Sequence, residues 1–99
     1  MKISIQPSAL ADLKFGFRFY EKQQKGLGSY FLDSLYSDID SLLLYAEIHS
    51  QHFGKYQVLS DRFPYAVYYE LREDLIMVRA VLNLRRDPSW ISQKLNNLK

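Results

Sequence analysis

The sequence contains no cysteine, only four glycines and three prolines, and no long apolar segment. Without cysteine the chain has no disulfide, no thiol nucleophile and no thiolate metal site, which fits a reducing compartment. The longest apolar run covers residues 42–46 and is much too short to cross a membrane. The opening stretch, MKISIQPSAL, does not resemble a signal peptide. We therefore expect a cytoplasmic protein with no membrane partner.

The chain does have enough apolar and aromatic residues for a packed core. Hydrophobic residues make up 47% of the sequence and aromatic residues 15%, mostly as eight tyrosines and six phenylalanines. This composition excludes a disordered protein. A length of 99 residues allows one core, so we expect a single domain over residues 1–99. The net charge of +2 is too small to indicate a nucleic-acid partner.

Two helices are predicted in the N-terminal half, after a short strand at residues 2–5. Pro7 suits the first position of a helix because its φ is preset and it needs no hydrogen-bond donor there. Gly26 and Gly28 then interrupt the helical pattern and predict a short turn between two antiparallel helices. Apolar residues recur at helical spacing on both sides of this turn: Leu10, Leu13, Phe17 and Tyr20 before it, and Phe31 or Leu32, Leu35, Ile39, Leu42 and Ala46 after it.

The hydrophobic period falls to two in the C-terminal half, which predicts consecutive strands over residues 55–60, 65–71 and 75–82. Short connections between them favour an antiparallel meander. Asp87 and Pro88 end the last strand, and an amphipathic helix follows. The order is β-α-α-β-β-β-α. Runs of helices followed by runs of strands indicate an α+β fold, in which a helical hairpin packs on a small antiparallel sheet.

Alternation along the strands assigns side chains to two faces of the sheet. Tyr65 and Tyr69 share one face of the middle strand and are expected in the core, whereas Tyr68 lies on the other face. In the last strand, one face is expected to carry Ile76, Val78, Ala80 and Leu82, and the opposite face Met77, Arg79 and Val81.

The last strand runs into VLNLRRDPSW, where two adjacent arginines precede the only tryptophan of the chain. Arg85 and Arg86 would point in opposite directions if the strand continued. One interpretation is structural: Arg86 and Asp87 form a surface ion pair that closes the turn into the last helix. The other is functional: Arg85, with Arg62 and Arg79, lines a surface for an acidic partner, since a planar guanidinium suits a carboxylate.

Four segments carry a resemblance to a known family. They are QPSALADL at residues 6–13, GLGSYFLDSL at 26–35, RFPYAVYYEL at 62–71 and VLNLRRDP at 81–88. Together with the element order, they resemble the ParE/RelE toxin superfamily of type II toxin–antitoxin systems, and its ParE-like, plasmid-stabilisation branch in particular. The resemblance implies a small curved antiparallel sheet with a helical hairpin packed on it. It also implies a cytoplasmic toxin that a cognate antitoxin neutralises.

Members of this superfamily act on different targets, so the fold does not select one. RelE-like members cut mRNA in the ribosomal A site, whereas ParE-like members poison DNA gyrase and are not nucleases. RNA cleavage without a metal needs a base that takes the proton of the 2′-OH, an acid that protonates the leaving oxygen, and cations that stabilise the phosphorane. The residues at the corresponding positions therefore decide between the two activities.

The chain lacks most of the residues that such cleavage would use. RelE-like nucleases place basic residues along the sheet, and this chain has Gln57, Leu59 and Ala66 there. Near the C-terminal arginine, where a His or Tyr acts in proton transfer, it has Asn83 and Trp90, and neither can shuttle a proton. We therefore expect a ParE-like toxin that acts by binding, without cofactor or metal, with DNA gyrase as its target.

Two alternatives remain open. The first is a RelE-like, ribosome-dependent mRNA endonuclease, in which Arg85 stabilises phosphate and His52 or Lys55 moves protons. The second is a binding module that keeps the toxin fold but has lost toxicity. His49 and His52 resemble half of a metal site, but no cysteine and no cluster of acids accompanies them, so we expect no metal.

Aromatic and basic side chains on the sheet are the expected contacts for the antitoxin or the target. If Phe15, Phe19 and Tyr36 exceed what one helix face can bury, they form an apolar patch that the antitoxin covers. The predicted partner-binding residues are Arg62, Tyr68, Arg79, Arg85, Arg86 and Trp90.

Overall fold

A computed structural model describes residues 1–52 and 54–98 of the chain. The helices are α1 (Pro7–Gln23), α2 (Leu27–Asp40), α3 (Leu42–Tyr45) and α4 (Pro88–Asn96). The strands are β1 (Lys2–Ile5), β2 (Gln51–His52), β3 (Lys55–Leu59), β4 (Tyr65–Arg72) and β5 (Leu75–Asn83). The hairpin of α1 and α2 packs on one face of a five-stranded sheet and α4 packs on the other. The predicted α+β class is confirmed.

The sheet has the strand order β1-β5-β4-β3-β2. Strands β3 to β5 form the predicted antiparallel meander, and the two-residue strand β2, which was not predicted, pairs antiparallel with β3. β1 differs: it pairs in parallel with the start of β5, from Lys2 opposite Leu75 to Ile5 opposite Val78. The sheet is therefore mixed rather than wholly antiparallel. A strand that pairs across a long connection is not bound by hairpin geometry, so the local pattern did not set its direction.

A β-bulge reverses the predicted faces in the second half of β5. The register with β4 slips midway along the pair, and Arg79 is the extra residue. After the bulge Val81 packs toward the hairpin, whereas Ala80 and Leu82 pack toward α4. The prediction that Ala80 and Leu82 share a face with Ile76 is wrong, because one extra residue shifts the alternation by one.

The main core lies between the hairpin and the sheet. Tyr65 and Tyr69 are buried in it, as predicted. The segment predicted as one second helix is divided at Ser41, whose hydroxyl donates to the carbonyl of Asp38 at 2.6 Å. Such a local side-chain bond competes with the regular helix ladder. The apolar seam of that segment is nevertheless buried throughout: Phe31, Leu35, Ile39, Leu42 and Ala46.

Close approach of α1 and α2 depends on two glycines. A Cβ at Gly16 would lie 2.5 Å from the Phe31 ring, and a Cβ at Gly28 would lie 2.7 Å from the carbonyl oxygen of Phe17. Because Phe31 occupies the space over Gly16, the buried face of α1 is displaced from the predicted stripe, and Leu10 is exposed.

Candidate functional site

Three of the predicted partner-binding arginines lie at one end of the sheet. Arg62 precedes β4, and Arg85 and Arg86 follow β5; the two strand ends meet because Tyr65 pairs with Asn83. All three arginine side chains are exposed. None of them forms a salt bridge with another residue in the described part of the chain. We call this region the arginine end; it presents three guanidinium groups to solvent.

The turn between β5 and α4 is fixed by side chains that contact the backbone. Asn83 Oδ1 accepts a hydrogen bond from the N–H of Arg85 at 2.8 Å. Asp87 caps α4 by accepting from the backbone N–H and from the hydroxyl of Ser89, each at 2.9 Å. The bond from the Ser89 N–H, and then that from its hydroxyl, lower the pKa of Asp87. Asp87 forms no ion pair with Arg86 in the described part of the chain, so the ion-pair interpretation of this turn is not supported.

Arg86 stacks on Trp90. Its guanidinium carbon lies 4.0 Å from the centroid of the indole ring. Lys94 Nζ lies 5.6 Å from the same centroid, so two cations share one aromatic ring. The structure thus brings together two predicted residues, Arg86 and Trp90. Lys94 was missed, although it lies one helical turn after Trp90, where side chains on a helix meet.

Tyr68 and Arg79, which the sequence also predicts to bind a partner, are covered by α4. Tyr68 is 1% exposed, and its hydroxyl accepts from Gln57 Nε2 at 2.8 Å. Arg79 is 14% exposed and donates to Glu70 Oε2 at 3.0 Å and to the carbonyl of Leu98 at 2.6 Å. While α4 is packed on this face, neither side chain is open to a partner, and their role in partner binding stays a prediction.

The residues of the alternative nuclease mechanism do not come together. His52 is exposed on β2, and Lys55 at the start of β3 lies 3.9 Å from Glu70. Lys55 is level with Met77 of β5, and the end of β5 lies about 20 Å further along the strand at about 3.3 Å per residue. Arg85 follows that end. A phosphate held by Arg85 is therefore out of reach of protons carried by His52 or Lys55.

The other histidine, His49, forms a hydrogen bond within the fold. His49 Nδ1 lies 2.7 Å from the hydroxyl of Tyr69, and burial raises the pKa of Tyr69 to about 12.

Among residues 1–52 and 54–98, no three metal-ligating side chains are placed to hold an ion. Within the same residues, every helix is too short or too polar to span a membrane.

Exposed aromatic side chains line two grooves on either side of α1. The hairpin groove, of about 400 Å³, runs along the outer side of α1 and α2 and includes Tyr36. The α1–α4 groove, of about 690 Å³, lies between α1 and α4 and includes Phe15 and Phe19. The predicted exposure of these three aromatics is confirmed, but they belong to two surfaces rather than one patch. The other residues of the hairpin groove are Leu10, Leu13, Lys14, Phe17, Arg18 and Leu32.

Asp12 is a residue of the α1–α4 groove that the sequence did not reveal. Its Oδ2 accepts a hydrogen bond from the backbone N–H of Val81 at 2.9 Å. Burial raises the pKa of Asp12 to about 6, against the opposing effects of the Val81 N–H and of the charge on Lys94. The one available signal was an acid placed beside the buried stripe of α1, where helices that pack on a core are usually apolar.

No protein-family model matches the sequence, and no curated protein matches it. Six chains of solved structures do match. One belongs to the structure described as the chromosomal ParDE TA system from P. aeruginosa, with a TM-score of 0.77 and 15% sequence identity. The match covers 85% of this chain and 96% of that chain. At this identity the likeness is one of architecture, and the protein has the ParE-like toxin fold that its sequence segments predict.

Proposed function

We propose that this protein is the toxin of a type II toxin–antitoxin module, that it acts in the cytoplasm by binding a macromolecular target, and that the target is DNA gyrase. A cognate antitoxin would hold it inactive. The observation that carries this proposal is a ParE-like fold in which Arg85 lies about 20 Å along the sheet from Lys55, a proton carrier of the alternative nuclease mechanism.

The side chains beside the arginine end support binding rather than cleavage. Asn83 and Trp90 have no proton to exchange near neutral pH. Tyr65, which pairs with Asn83, has its pKa raised to about 12, first by burial and then by the neighbouring Tyr20. Its hydroxyl therefore keeps its proton at pH 7 and cannot act as a base. Arg85 could stabilise a phosphate charge alone, but cleavage also needs a proton acceptor.

Exposed apolar surface supports the proposal of an antitoxin partner. The hairpin groove is mostly apolar and has Lys14 and Arg18 among its lining residues. An amphipathic helix with acidic flanks would match that pattern. Leu44 and Ile48, in and just after α3, are 79% and 75% exposed. Leu43 and Tyr45 beside them are also exposed. Clusters of exposed apolar residues mark interaction surfaces, so a partner that covers this one would lower the free energy of the complex.

The proposal is tested with purified protein and gyrase in a supercoiling assay. We expect the wild-type protein to inhibit supercoiling and to leave ribosome-bound mRNA intact. Arg85→Glu should weaken inhibition by about tenfold or more, because charge reversal in an interface repels the acidic groups that the arginine contacts. The matched control is Arg72→Glu, an exposed arginine at the opposite end of the sheet. Cleaved mRNA with unaffected gyrase would contradict the proposal.

The antitoxin is tested separately in cells. Induced expression should arrest growth with signs of DNA damage, and co-expression of the cognate antitoxin, sought among the neighbouring genes, should restore growth. If expression of the folded protein does not arrest growth, the protein is a binding module with the toxin fold, and the toxin assignment fails.

A further inference from the structure

We propose that the arginine end binds the phosphate backbone of duplex DNA without reading its sequence. Three exposed guanidinium groups lie there, where the start of β4 meets the end of β5: those of Arg62, Arg85 and Arg86. The inference rests on the proposed function for its choice of phosphate source, because a toxin directed at gyrase meets the duplex DNA on which gyrase acts. The binding itself needs no other protein, so it can be tested alone.

The helical hairpin adds two lysines to this end of the molecule. The ring centroid of Tyr20, near the end of α1, lies 4.8 Å from that of Phe63 and 6.2 Å from that of Tyr65. The turn between α1 and α2 is therefore beside the strand ends. Lys22, in the last turn of α1, and Lys25, just after it, are both exposed. The segments that meet here hold five cations and three acids: residues 20–28, 60–65 and 83–90.

The cations at this end are available to a ligand, whereas two of the three acids are engaged. None of the five cations forms a salt bridge with another described residue. Glu21 accepts from the N–H groups of Gly26 and Gly28 at 2.9–3.1 Å, where α2 begins, and Asp87 caps the start of α4. A helix start carries roughly half a positive charge, which offsets part of each carboxylate. The net charge of +2 for the whole chain does not reveal this local excess.

Two of the guanidinium groups are held against aromatic rings. The guanidinium carbon of Arg86 lies 4.0 Å from the ring centroid of Trp90, and that of Arg62 lies 5.7 Å from that of Tyr30. A ring covers one face of a guanidinium and leaves its N–H edge free, and that edge can donate two parallel hydrogen bonds to a phosphate. Because the side chains are restricted before binding, less entropy is lost when the phosphate binds.

The same rings favour a duplex over a single strand. Proteins that bind single strands stack the bases on exposed aromatic rings along a cationic channel. Here Trp90 already has two cations against its ring, at 4.0 and 5.6 Å from the centroid, and Tyr30 has Arg62. A duplex keeps its bases stacked and offers its phosphates to such a surface. The contact is then electrostatic and independent of sequence.

Binding is measured by the fluorescence anisotropy of a labelled DNA duplex during titration with the protein. We expect saturable binding with a dissociation constant of about 10⁻⁵ M at about 50 mM salt, equal for two duplexes of unrelated sequence. The logarithm of the association constant should fall with the logarithm of the salt concentration with a slope of about −3, because each of three arginines displaces about one counterion. Single-stranded DNA, duplex RNA and a capped oligoglutamate peptide should each bind more weakly.

Charge reversal locates the binding surface. The double variant R62E/R85E should weaken binding by about tenfold or more and should reduce the magnitude of the salt slope by about 2, since each arginine accounts for about one phosphate contact. The matched control is K2E/R72E. It changes the net charge equally at the opposite end of the sheet, where both residues lie opposite Leu75, and it should keep the wild-type slope. Circular dichroism confirms that each variant is folded.

Several results would overturn the inference: no saturable binding, a dependence on sequence, equal or tighter binding of the single strand, the RNA or the peptide, or equal losses in the two double variants. Inhibition of gyrase is measured in parallel. Inhibition without DNA binding would overturn this inference and leave the proposed function in place. DNA binding at the arginine end without inhibition would support this inference and contradict gyrase as the target.

Discussion

The two faces of the sheet are packed in different ways. Toward the hairpin, 13 described residues form one continuous buried cluster, which includes Phe31 and Leu35 of α2. Toward α4, the buried cluster contains six described residues, with Ile91 and Leu95 as the contribution of the helix. Because stabilisation scales with buried apolar area, the hairpin face carries most of the free energy of folding.

Polar contacts take a larger part on the α4 face. Lys55 Nζ donates to the carbonyl of Leu95 at 3.5 Å, and Arg79 donates to that of Leu98 at 2.6 Å. Both side chains are largely buried and lie at the C-terminal end of α4, where a cation stabilises the helix. The face that stabilises the fold is therefore not the face that presents Arg86 and Lys94, and the α1–α4 groove lies between the two faces.

The largest effect is expected in the hairpin core. Phe31 is fully buried, and its ring centroid lies 4.9–5.1 Å from those of Tyr20, Phe63 and Tyr65. Phe31→Ala should lower the free energy of unfolding by about 3–5 kcal/mol, measured by urea denaturation. Tyr30→Ala, at an exposed aromatic one position earlier, should cost much less. Equal losses would mean that the hairpin face is not the dominant core.

Local periodicity was enough to predict the hairpin, the meander and the burial of Tyr65 and Tyr69. The features that it missed depend on contacts between distant residues. The parallel direction of β1 is set by pairing with β5 across the hairpin. The bulge at Arg79 coincides with hydrogen bonding from the Ser8 hydroxyl to the Arg79 carbonyl at 2.6 Å. Neither contact can be predicted from the hydrophobic pattern of a single strand.

As for the fold, the parts of the candidate site that could be predicted are those whose residues are close in sequence. Arg86 and Trp90 lie close together because they are four positions apart in sequence, on either side of the start of α4. Tyr68 and Arg79 were assigned correctly to the face opposite the hairpin, but a side-chain pattern does not show whether α4 or a partner covers that face. Asp12 contacts Val81 across almost the whole chain, so no local pattern connects the two residues.

An intermediate effect is expected at the α4 face. Leu95 is 1% exposed and joins α4 to the second cluster. Leu95→Ala should destabilise the protein by about 2–5 kcal/mol if the two faces unfold together. We expect part of this loss to appear as undocking of α4 alone, because the hairpin core does not depend on Leu95. Trp90 fluorescence should then change at a lower urea concentration than far-UV circular dichroism. Coincident transitions would show that the two faces form one cooperative unit.

A third effect, of at most about 3 kcal/mol, is a dependence on pH at the boundary between the two faces. In the folded state the pKa of Asp12 is about 6, whereas an unfolded Asp has a pKa of about 3.9. The folded state therefore binds the proton more tightly, and the contribution of Asp12 to the free energy of unfolding falls as pH rises from about 4 to about 6. Asp12→Asn keeps an acceptor for the Val81 N–H and removes this titration.

Relative to Asp12→Asn, the wild type should therefore be most stable at acidic pH, and this advantage should decline as pH rises from about 4 to about 6. Urea denaturation of both proteins at several pH values measures it, with Asp33→Asn as a control for the loss of one exposed negative charge. A difference that stays constant with pH would mean that Asp12 is as well solvated in the folded chain as in the unfolded one. The packing of α1 against the edge of β5 beyond Val78 would then not desolvate the Asp12 carboxylate.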